Sequence, residues 1–453
     1  MVLQGKNVLV VGLAKTGVST AKFLDKMGAV VTATDSSPAS KIKGIDELEK
    51  LGIEVEAGGH SMKHFLNADL IVLSPGVPST IEPLKEAKKS GVEIISEIEL
   101  AYNFIKEPIV AIAGTNGKTT TTTLIGKILE DAGKKVFVGG NIGEPLIEYL
   151  GERHALPLQQ ADYLVVEVSS FQLEGIRKFR PHIAILLNIT EDHLDRYTNF
   201  DEYTAAKFRL FENMKQGDVA VVNNDDVVIN SKFKIQNSKF KVIPFSSSRI
   251  LEEGIFYKNE NIVYSLGSEK EFYPTENFKL KGIHNIENIM ASIAAAKACG
   301  IPGDVILKTI EGFKGLSHRM EFIRKVNGVS YYNDSKGTNV GALQKSLEGM
   351  DSPVILIAGG KDKGGDYRIL NGLIQKKVKR LILLGEAKNK IRDAFKGLTD
   401  IVMVESLKEA VTAARNKANK GDVVLLSPAC SSFDMFKNYK ERGEIFRRLV
   451  EAL

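Results

Sequence analysis

The sequence predicts an α/β protein built from three consecutive domains. Its 453 residues exceed one ordinary core, because domains typically hold about 100–200 residues. One pattern occurs three times: a β-branched apolar run ends in a glycine-bearing loop and leads into a helical pattern, at Asn7–Gly12, Ile109–Gly114 and Val354–Gly359. This pattern is typical of a buried parallel strand followed by a helix. Because ligands bind beyond the carboxyl ends of parallel strands, all three loops are candidate sites.

The composition is that of a folded globular protein. Hydrophobic residues make up 43% and charged residues 26% of the chain. The net charge of +5 is small and not concentrated in a basic block, so no nucleic-acid partner is expected. Two cysteines are too few for a disulfide framework. Because no stretch approaches the roughly 20 apolar residues of a membrane span, we expect a cytoplasmic protein, acting as a monomer.

The first domain is expected over residues 1–97 and begins with a glycine loop. The loop Gly12–Gly17 is similar to a dinucleotide fingerprint, which is typical of a Rossmann-like sheet, but Ala14 stands where the second glycine is expected. We therefore interpret this domain as a diphosphate site. Its candidate residues, on this loop, at the end of the second strand and on a second glycine-proline loop, are Lys15, Thr16, Asp35, Ser74 and Gly76.

The strongest motif lies in the second domain, expected over residues 98–315. A strand at Ile109–Ala113 and a helix predicted over Thr121–Asp131 flank the segment Gly114-Thr115-Asn116-Gly117-Lys118-Thr119-Thr120. Backbone N–H groups of such a loop can approach phosphate oxygens, with Lys118 on the β- and γ-phosphates and Thr119 on magnesium. The loop departs from the usual P-loop pattern at Ile112, where a glycine is expected. The motif predicts binding of ATP or a close relative.

Two further residues of this domain are candidate metal ligands. Glu167 ends the apolar strand Tyr163–Val166, and a carboxylate in that place suits magnesium because hard cations prefer oxygen. His193 follows another strand within an acidic segment, where it either binds a second metal ion or caps the loop. The presence of Glu167 and Lys118 in the same domain favours a metal-binding role for His193.

The P-loop, the Glu167 segment and the Asp-His-Leu-Asp segment together resemble the central domain of the Mur ligase family, which also includes folylpolyglutamate synthetase. The resemblance covers essentially the whole chain. It implies a central P-loop ATPase-like domain, an N-terminal Rossmann-like domain for a UDP-sugar, and a C-terminal Rossmann-like domain over residues 316–453 for an amino acid. It also implies ATP and two Mg²⁺ ions as cofactors, and a UDP-sugar site that extends to Asn141, Ser169 and His193.

The same resemblance assigns residues that spacing alone leaves without a role. Lys207 would be a surface lysine by spacing, but its position resembles the family's carbamylated lysine, which helps to hold the second magnesium ion. Asn285 and Asn288 share a helix face and match an adenine-binding motif. Arg319 matches an arginine on the ATP phosphates. The implied ATP site thus includes Asn285, Asn288, Arg319 and Asp334.

The third domain carries the segment that separates the branches of the family. Tyr332–Asn339 contains Asp-Ser-Lys-Gly-Thr-Asn, where other branches have a histidine-bearing loop, and it resembles the D-glutamate-adding branch. Lysine and threonine suit a dicarboxylate because both can donate hydrogen bonds to carboxylate oxygens. The resemblance implies an amino-acid site formed by Lys336, Thr338, Lys363, Ser432 and Tyr439.

The resemblance implies an amide ligation through an acyl phosphate. The carboxylate of UDP-N-acetylmuramoyl-L-alanine would attack the γ-phosphate of ATP, and the amine of D-glutamate would attack the product. The implied catalytic residues are Lys118, His193, Lys207 and Arg319, with His193 as the candidate base. Three alternatives stay open: another Mur-type or folate-type ligase, an NAD-dependent oxidoreductase, which Ala14 disfavours, and a nucleotide-dependent switch or motor.

Overall fold

The computed structural model describes residues 1–155, 160–192, 196–233, 239–350, 352–362 and 364–453. They contain three sheets of mostly parallel strands and divide into two compact units. The first unit comprises Met1–Ile189, Arg196–Glu276 and Glu287–Ile310, and the second comprises Asn277–Ile286 and Glu311–Leu453 together with Thr190 to Asp192. In the part of the chain so described, no helix is both long enough and apolar enough to cross a membrane.

The first sheet is parallel throughout, in the order β3-β2-β1-β4-β5. Alternate residues of its central strand, β1, belong to two different hydrophobic cores. Val8 and Val10 pack into one core, and Leu9 and Val11 pack into the other. The order reverses between β1 and β4, which makes the loops after these strands a natural ligand site. The elements are β1 Asn7–Val11, α1 Lys15–Lys26, β2 Val30–Asp35, α2 Ile45–Lys50, β3 Glu54–Ala57, α3 Met62–Leu66, β4 Leu70–Leu73, α4 Glu82–Lys89, β5 Glu93–Ser96 and α5 Glu97–Tyr102.

The second sheet has the order β14-β13-β12-β11-β10-β9-β6-β8-β7. Strand β6 lies between β8 and β9 with all five residues buried. Among the described residues of this sheet, the antiparallel pairs are those that β13 forms with β12 and with β14. The elements are β6 Ile109–Ala113, α6 Lys118–Asp131, β7 Val136–Gly140, α7 Leu146–Ala155, β8 Tyr163–Glu167, α8 Ser170–Glu174, β9 Ile183–Leu186, α9 Phe200–Phe208, β10 Val219–Asn223, α10 Val227–Lys232, β11 Lys241–Ser246, β12 Gly254–Lys258, β13 Asn261–Leu266, β14 Glu269–Pro274, α11 Ile283–Ala298 and α12 Gly303–Gly312.

The third sheet has the order β15-β16-β20-β17-β18-β19, with an antiparallel pair, β15 and β16, at one edge. The other strands pair in parallel, so the loops after β16, β17 and β20 leave the same edge of the sheet. The elements are β15 Glu321–Val326, β16 Val329–Asn333, α13 Val340–Glu348, β17 Val354–Gly359, α14 Asn371–Lys377, β18 Val378–Leu384, α15 Lys388–Phe395, β19 Asp400–Met403, α16 Leu407–Lys417, β20 Val423–Leu426 and α17 Tyr439–Glu451.

The α/β class and the strand-loop-helix pattern of the three glycine loops are as the sequence predicts, with one useful difference. Helix α6 begins at Lys118 rather than at Thr121. Gly117, at φ +86°, precedes the helix directly, so Lys118 and Thr119 lie in its first turn. Backbone N–H groups in a first turn lack partners within the helix and attract anions. The limits of the domains at residues 97 and 315 stay predictions.

Candidate functional site

The loop between β6 and α6 requires glycine at two positions. Gly114 has φ +147° and Gly117 has φ +86°, both in the region that L side chains rarely adopt. A Cβ at Gly117 would lie 2.2 Å from Oδ1 of Asn288, and one at Gly114 would lie 3.0 Å from Cβ of Leu187. A larger residue at either position would be strained and would force neighbouring atoms to shift, so glycine suits this close turn of a phosphate-binding loop.

Asn188, just after β9, holds this loop in place. The N–H of Thr115 donates to the carbonyl oxygen of Asn188 at 2.9 Å, and the N–H of Asn116 donates to its Oδ1 at 2.8 Å. In return, Nδ2 of Asn188 donates to the carbonyl oxygen of Asn116 at 3.1 Å. Asn188 has no role in the site predicted from the sequence. Its place at the end of a strand that neighbours β6 was the available signal.

The side chains of Lys118 and Thr119 have different hydrogen-bond partners. Nζ of Lys118 lies 2.9 Å from the carbonyl oxygens of both Gly114 and Thr115, so the ammonium group lies on the loop. Oγ1 of Thr119 donates to Oε2 of Glu167 at 2.9 Å, and both side chains are buried. The register of β6 and β8 pairs Ile112 with Glu167, which brings this carboxylate to the loop.

Lys207 is buried beneath the same loop. Its side chain is 2% exposed, although spacing alone suggests a surface lysine. Nζ donates to the carbonyl oxygen of Gly114 at 2.9 Å and lies 4.6 Å from the ring centroid of Tyr203. The hydroxyl of Tyr203 is in turn 3.0 Å from Oγ1 of Thr115. The structure thus brings Lys118, Thr119, Glu167 and Lys207 together.

These residues fit magnesium through oxygen donors. Glu167 and Thr119 present a buried carboxylate and a hydroxyl side by side, a ligand set suited to one hard cation. Lys207 has an amine, which becomes an oxygen ligand only after carbamylation. His193 lies outside the described residues. Within the described ranges, no three His, Cys, Asp or Glu side chains form a metal-binding cluster.

The two asparagines predicted for adenine both lie on α11. Asn288 reaches the phosphate loop, since its Oδ1 faces Gly117 and lies 3.4 Å from Oγ1 of Thr121. Asn285 belongs to the second unit, where Nδ2 donates to the carbonyl oxygen of Lys281 at 2.8 Å.

Three loops of the first sheet are tied together at its switch point. Oγ of Ser74 donates to the carbonyl oxygen of Gly12 at 2.7 Å, and the N–H of Leu13 donates to Oδ2 of Asp35 at 2.6 Å. Burial opposes ionisation of Asp35, but N–H groups of Leu13 and Ser37 outweigh it and lower the pKa of this carboxyl. Asp35 therefore organises the loops and carries a negative charge at neutral pH.

The turn after β7 connects the first sheet with the metal-binding candidates. Nδ2 of Asn141 donates to Oε1 of Glu167 at 3.0 Å. Three residues on, Oε1 of Glu144 accepts a hydrogen bond from Nζ of Lys15 at 2.6 Å. Of the remaining UDP-sugar candidates, Ser169 caps α8, Thr16 is partly buried and Gly76 is exposed.

In the second unit, Asp334 is a buried carboxyl directly after β16. Its Oδ2 accepts hydrogen bonds from Oγ of Ser346 at 2.7 Å and of Ser427 at 2.8 Å. Burial raises the pKa of Asp334 to about 6, against these hydrogen bonds and the charge of Arg319, which lower it. The backbone beside Arg319 is strained, because His318 and Met320 have φ of +65° and +44°.

Some of the residues predicted to bind the amino-acid substrate lie close together. Nζ of Lys336 lies 4.2 Å from the ring centroid of Tyr439, a cation–π geometry. The N–H of Thr338 donates to the carbonyl oxygen of Lys336 at 2.8 Å, and Ser432 is buried on the loop after β20. Lys363 lies outside the described residues.

Arg442 lies in the same region, although no sequence motif indicated it. Its guanidinium group donates to Oγ of Ser335 at 3.0 Å and to the carbonyl oxygens of Ser335, Cys430 and Ser431 at 2.9 to 3.3 Å. Burial lowers the pKa of Arg442 to about 10. Arg442 thus links the loop after β16 to the loop after β20.

Comparison with protein families matches three models along the chain. They are described as "Mur ligase MurD-like, N-terminal domain" over residues 6–96, "Mur ligase middle domain" over residues 112–296, and "Mur ligase, glutamate ligase domain" over residues 318–430.

Curated relatives match the full length. Proteins of Geotalea uraniireducens and Geobacter sp. strain M21 are each 52% identical, cover 100% of this chain and 99% of their own length, and are named UDP-N-acetylmuramoylalanine–D-glutamate ligase. A protein of Syntrophus aciditrophicus with the same name is 44% identical over 100% of this chain and 99% of its own.

Solved structures show the same fold at low identity. A pseudomurein peptide ligase type C of Methanothermus fervidus has a TM-score of 0.62 and 21% identity, covering 99% of this chain and 100% of its own. The UDP-N-acetylmuramate–alanine ligase of Thermotoga maritima has a TM-score of 0.60 and 18% identity, covering 99% of each chain.

Proposed function

This chain belongs to the Mur ligase family, and we propose that it is an ATP-dependent ligase of peptidoglycan synthesis that adds D-glutamate to UDP-N-acetylmuramoyl-L-alanine. The observation that carries the proposal is the 52% identity, over the whole chain, to relatives named for this reaction. We also infer that the reaction takes place in the cytoplasm, where its phosphoryl donor ATP is available, and that the enzyme acts as a monomer.

In the first step, a carboxylate oxygen of the substrate attacks the γ-phosphorus of ATP, and the bond from that phosphorus to the bridging oxygen breaks, so that an acyl phosphate forms and ADP leaves. Backbone N–H groups of the loop after β6 and the first turn of α6 bind the phosphates. Lys118, which already lies on that loop, moves by a side-chain rotation from its carbonyl partners to the phosphate oxygens. Asn188 keeps the loop rigid, and Arg319 contributes a permanent positive charge. The acyl phosphate can expel phosphate when an amine attacks it, whereas a free carboxylate has no good leaving group.

Thr119, Glu167, His193 and carbamylated Lys207 would hold magnesium, which neutralises charge on the transferred phosphate. The hydrogen bonds of Glu167 with Thr119 and Asn141 fix its two oxygens. Lys207 lies where a carbamate would extend beneath the loop. Carbamylation adds CO₂ to the neutral amine of Lys207 and releases one proton.

The second step forms the amide. The deprotonated amine of D-glutamate attacks the acyl carbon, and the tetrahedral intermediate expels phosphate, so that the C–N bond replaces the C–O bond. Lys336, Thr338, Lys363, Ser432 and Tyr439 would orient the amino acid, with its carboxylates on the cationic and hydroxyl groups. His193 is the candidate base.

Phosphate release tests the proposal. ATP and magnesium are supplied with UDP-N-acetylmuramoyl-L-alanine and each candidate amino acid in turn; only D-glutamate should stimulate release and yield the coupled product by mass spectrometry. Stimulation by another amino acid, or by a folate substrate, would assign the chain to another branch of the family. Release that needs no acceptor would indicate a switch or motor.

A further inference from the structure

A cavity lies within the first unit, between β5 and α8, and it shares one wall residue, Ser74, with the predicted UDP-sugar site. Its volume is about 560 Å³, which is within the range of small-molecule pockets, roughly 300–1,000 Å³. β5 is an edge strand of the first sheet, so the cavity opens where that sheet ends. The apolar part of the wall includes Leu73, Leu84, Val92, Ile94, Phe171 and Ile176.

Positively charged side chains outnumber negatively charged ones in the wall of the cavity. Five cations line the cavity against one carboxylate, Glu174. That carboxylate is already engaged, because it accepts hydrogen bonds from the hydroxyls of Tyr197 at 2.5 Å and of Ser79 at 3.2 Å. The five cations are Lys85, Lys88, Arg177, Arg196 and Arg209.

Acids outside the cavity neutralise some of this charge. Arg177 lies 3.3 Å from Glu93, and Lys85 lies 3.6 Å from Glu82, both in exposed pairs that water screens strongly. Arg209 forms an ion pair with Glu212. The exposed Lys88, at the end of α4, has no ion pair in the parts of the chain that are described.

One polar group of the wall lacks a partner. Ser96 lines the cavity and is 3% exposed, and its hydroxyl oxygen has no hydrogen-bond partner among the described residues. A buried hydroxyl without a partner is unfavourable, and rotation about one bond lets it meet a new acceptor or donor. This points to a ligand with a polar group as well as an apolar body.

We propose that this cavity is a binding site for a small anionic amphiphile, a molecule with an aromatic or branched apolar body and one phosphate, sulfonate or carboxylate group. The apolar body packs against Ile94 and Phe171. The anionic group lies toward Lys88 and Arg177 at the rim. A wall that combines apolar side chains with excess positive charge selects for both properties at once.

The cavity also reaches the loop after β4, and this step rests on the proposed function. Ser74 lies in its wall, and the guanidinium group of Arg196 donates to the carbonyl oxygens of Pro75 at 2.6 Å and Val77 at 2.8 Å. Arg196 also stacks on Phe171, with Cζ 3.7 Å from the ring centroid. A ligand against Phe171 therefore moves the group that holds this loop, and we expect it to change the KM for the UDP-sugar.

Binding is tested on the full chain by calorimetry with 1-naphthyl phosphate. Saturating ADP, magnesium and UDP are present, so that the phosphate loops are filled. We expect saturable one-site binding of 1-naphthyl phosphate. Neutral 1-naphthol should bind about 5-fold more weakly, since an exposed charge pair contributes up to about that factor. Absence of binding, or equal binding of the neutral compound, would overturn the proposal.

Two variants locate the bound probe. Ile94→Trp fills the cavity from a half-buried position on edge strand β5, and Val55→Trp is its matched control on the opposite edge strand, β3. We expect Ile94→Trp to abolish binding and Val55→Trp to retain it. If Ile94→Trp does not fold, the exposed double variant Lys88→Glu/Arg177→Glu should weaken binding about 5-fold or more. Unchanged binding in the folded variants contradicts the site.

Vesicles distinguish the two sources of such an anion. Cosedimentation with phosphatidylglycerol vesicles but not phosphatidylcholine vesicles, lost in Lys88→Glu/Arg177→Glu, would identify a lipid headgroup. Naphthyl phosphate binding without vesicle binding would identify a soluble anion. The calorimetric test is independent of turnover, so a chain that binds the probe but fails to ligate D-glutamate would refute the proposed function and leave this site intact.

Discussion

At the scale of single residues, burial decides how a charged group is used. Lys207 is 2% exposed, and its ammonium group lies 2.9 Å from a carbonyl oxygen of the phosphate loop. A lysine in such a place is unusual, because removing a cation from water is unfavourable without a compensating partner. The position therefore favours a specific role for Lys207, and carbamylation stays a prediction.

Lys207→Ala is expected to lower kcat about 100-fold or more, since one metal ligand contributes several kcal/mol of charge stabilisation, about 3 kcal/mol for this factor. Short carboxylates such as formate should restore part of the activity by replacing the carbamate. Phosphate release measured with and without formate checks both expectations. Lys215→Ala, an exposed lysine of the same domain, is the control and should match the parent. Full activity of Lys207→Ala without formate would refute the carbamate.

A second buried residue, Glu97, predicts a pH dependence of stability. Burial raises the pKa of this carboxyl to about 7; N–H groups of Ile147 and Leu146 lower it and the nearby Glu148 raises it. Below the ordinary value of 4.5 both folded and unfolded states are protonated. Between 4.5 and about 7 only the unfolded state loses its proton, so the free energy of unfolding falls as pH rises through this window.

Glu97→Gln should remove this pH dependence, because the amide stays neutral and its oxygen can still accept the N–H of Ile147. Relative to the parent, the variant is expected to gain free energy of unfolding between pH 5 and pH 8, on the order of 3 kcal/mol at the upper end. Urea unfolding at several pH values measures the difference. Glu82→Gln on exposed α4 is the control, and equal pH profiles of Glu97→Gln and the parent would contradict the argument.

At the scale of elements, the loop between β6 and α6 shows how backbone conformation fixes residue choice. Gly117 combines a positive φ with contact to Asn288, so a side chain there would be both strained and obstructed. The same glycine starts α6 directly at Lys118, which aims the helix amino end at the loop. Phosphate binding is thus a property of the strand, the loop and the helix together.

Gly117→Ala is therefore expected to raise the KM for ATP about 10-fold or more, because left-handed strain of about 1–2 kcal/mol adds to a Cβ contact 2.2 Å from Oδ1 of Asn288. Initial rates of phosphate release against ATP concentration give the value. The control is Gly151→Ala on α7, whose Cβ would meet only a side-chain oxygen of Glu148 at 3.5 Å. An unchanged KM would show that the loop has more room than its geometry indicates.

At the scale of the whole molecule, three sheets form two compact units. One hydrophobic core continues from Leu3 in the first domain to Ile229 in the second, so these two domains share buried surface. The third sheet has cores of its own on its two faces, which include Leu356 and Ile357 on alternate sides of β17. Shared apolar burial makes the first two domains cooperative with each other.

Calorimetry should accordingly show two unfolding transitions rather than three. The predicted phosphate loop for ADP and the predicted diphosphate site for UDP both belong to the first unit, so ADP with magnesium and UDP should each raise the midpoint of that unit's transition, because a ligand stabilises the unit that binds it. D-glutamate alone should leave that transition unchanged. Three separate transitions, or UDP and ADP acting on different ones, would show that the common core does not couple the first two domains.

The membership in the Mur ligase family was predicted from sequence and is confirmed by the matched models and relatives. Parts of the local structure were equally readable: strand Ile109–Ala113 has the predicted limits, and the strand predicted at Tyr163–Val166 extends by one residue to Glu167. Helix α6 was placed three residues late, because its start depends on the conformation of Gly117. The site residues assigned by resemblance stay predictions, including His193 and Lys363.

The sequence by itself determined the fold class, the family and the phosphate loop. The strand, the glycine loop and the helix are adjacent in the chain, so local sequence is enough to predict them. Only the tertiary structure decided which distant groups meet. Glu167 reaches Thr119 across 48 positions, Lys207 reaches Gly114 across 93, and Arg442 reaches Ser335 across 107. Those contacts depend on strand order and register, which follow from the burial of whole sheets rather than from any local pattern.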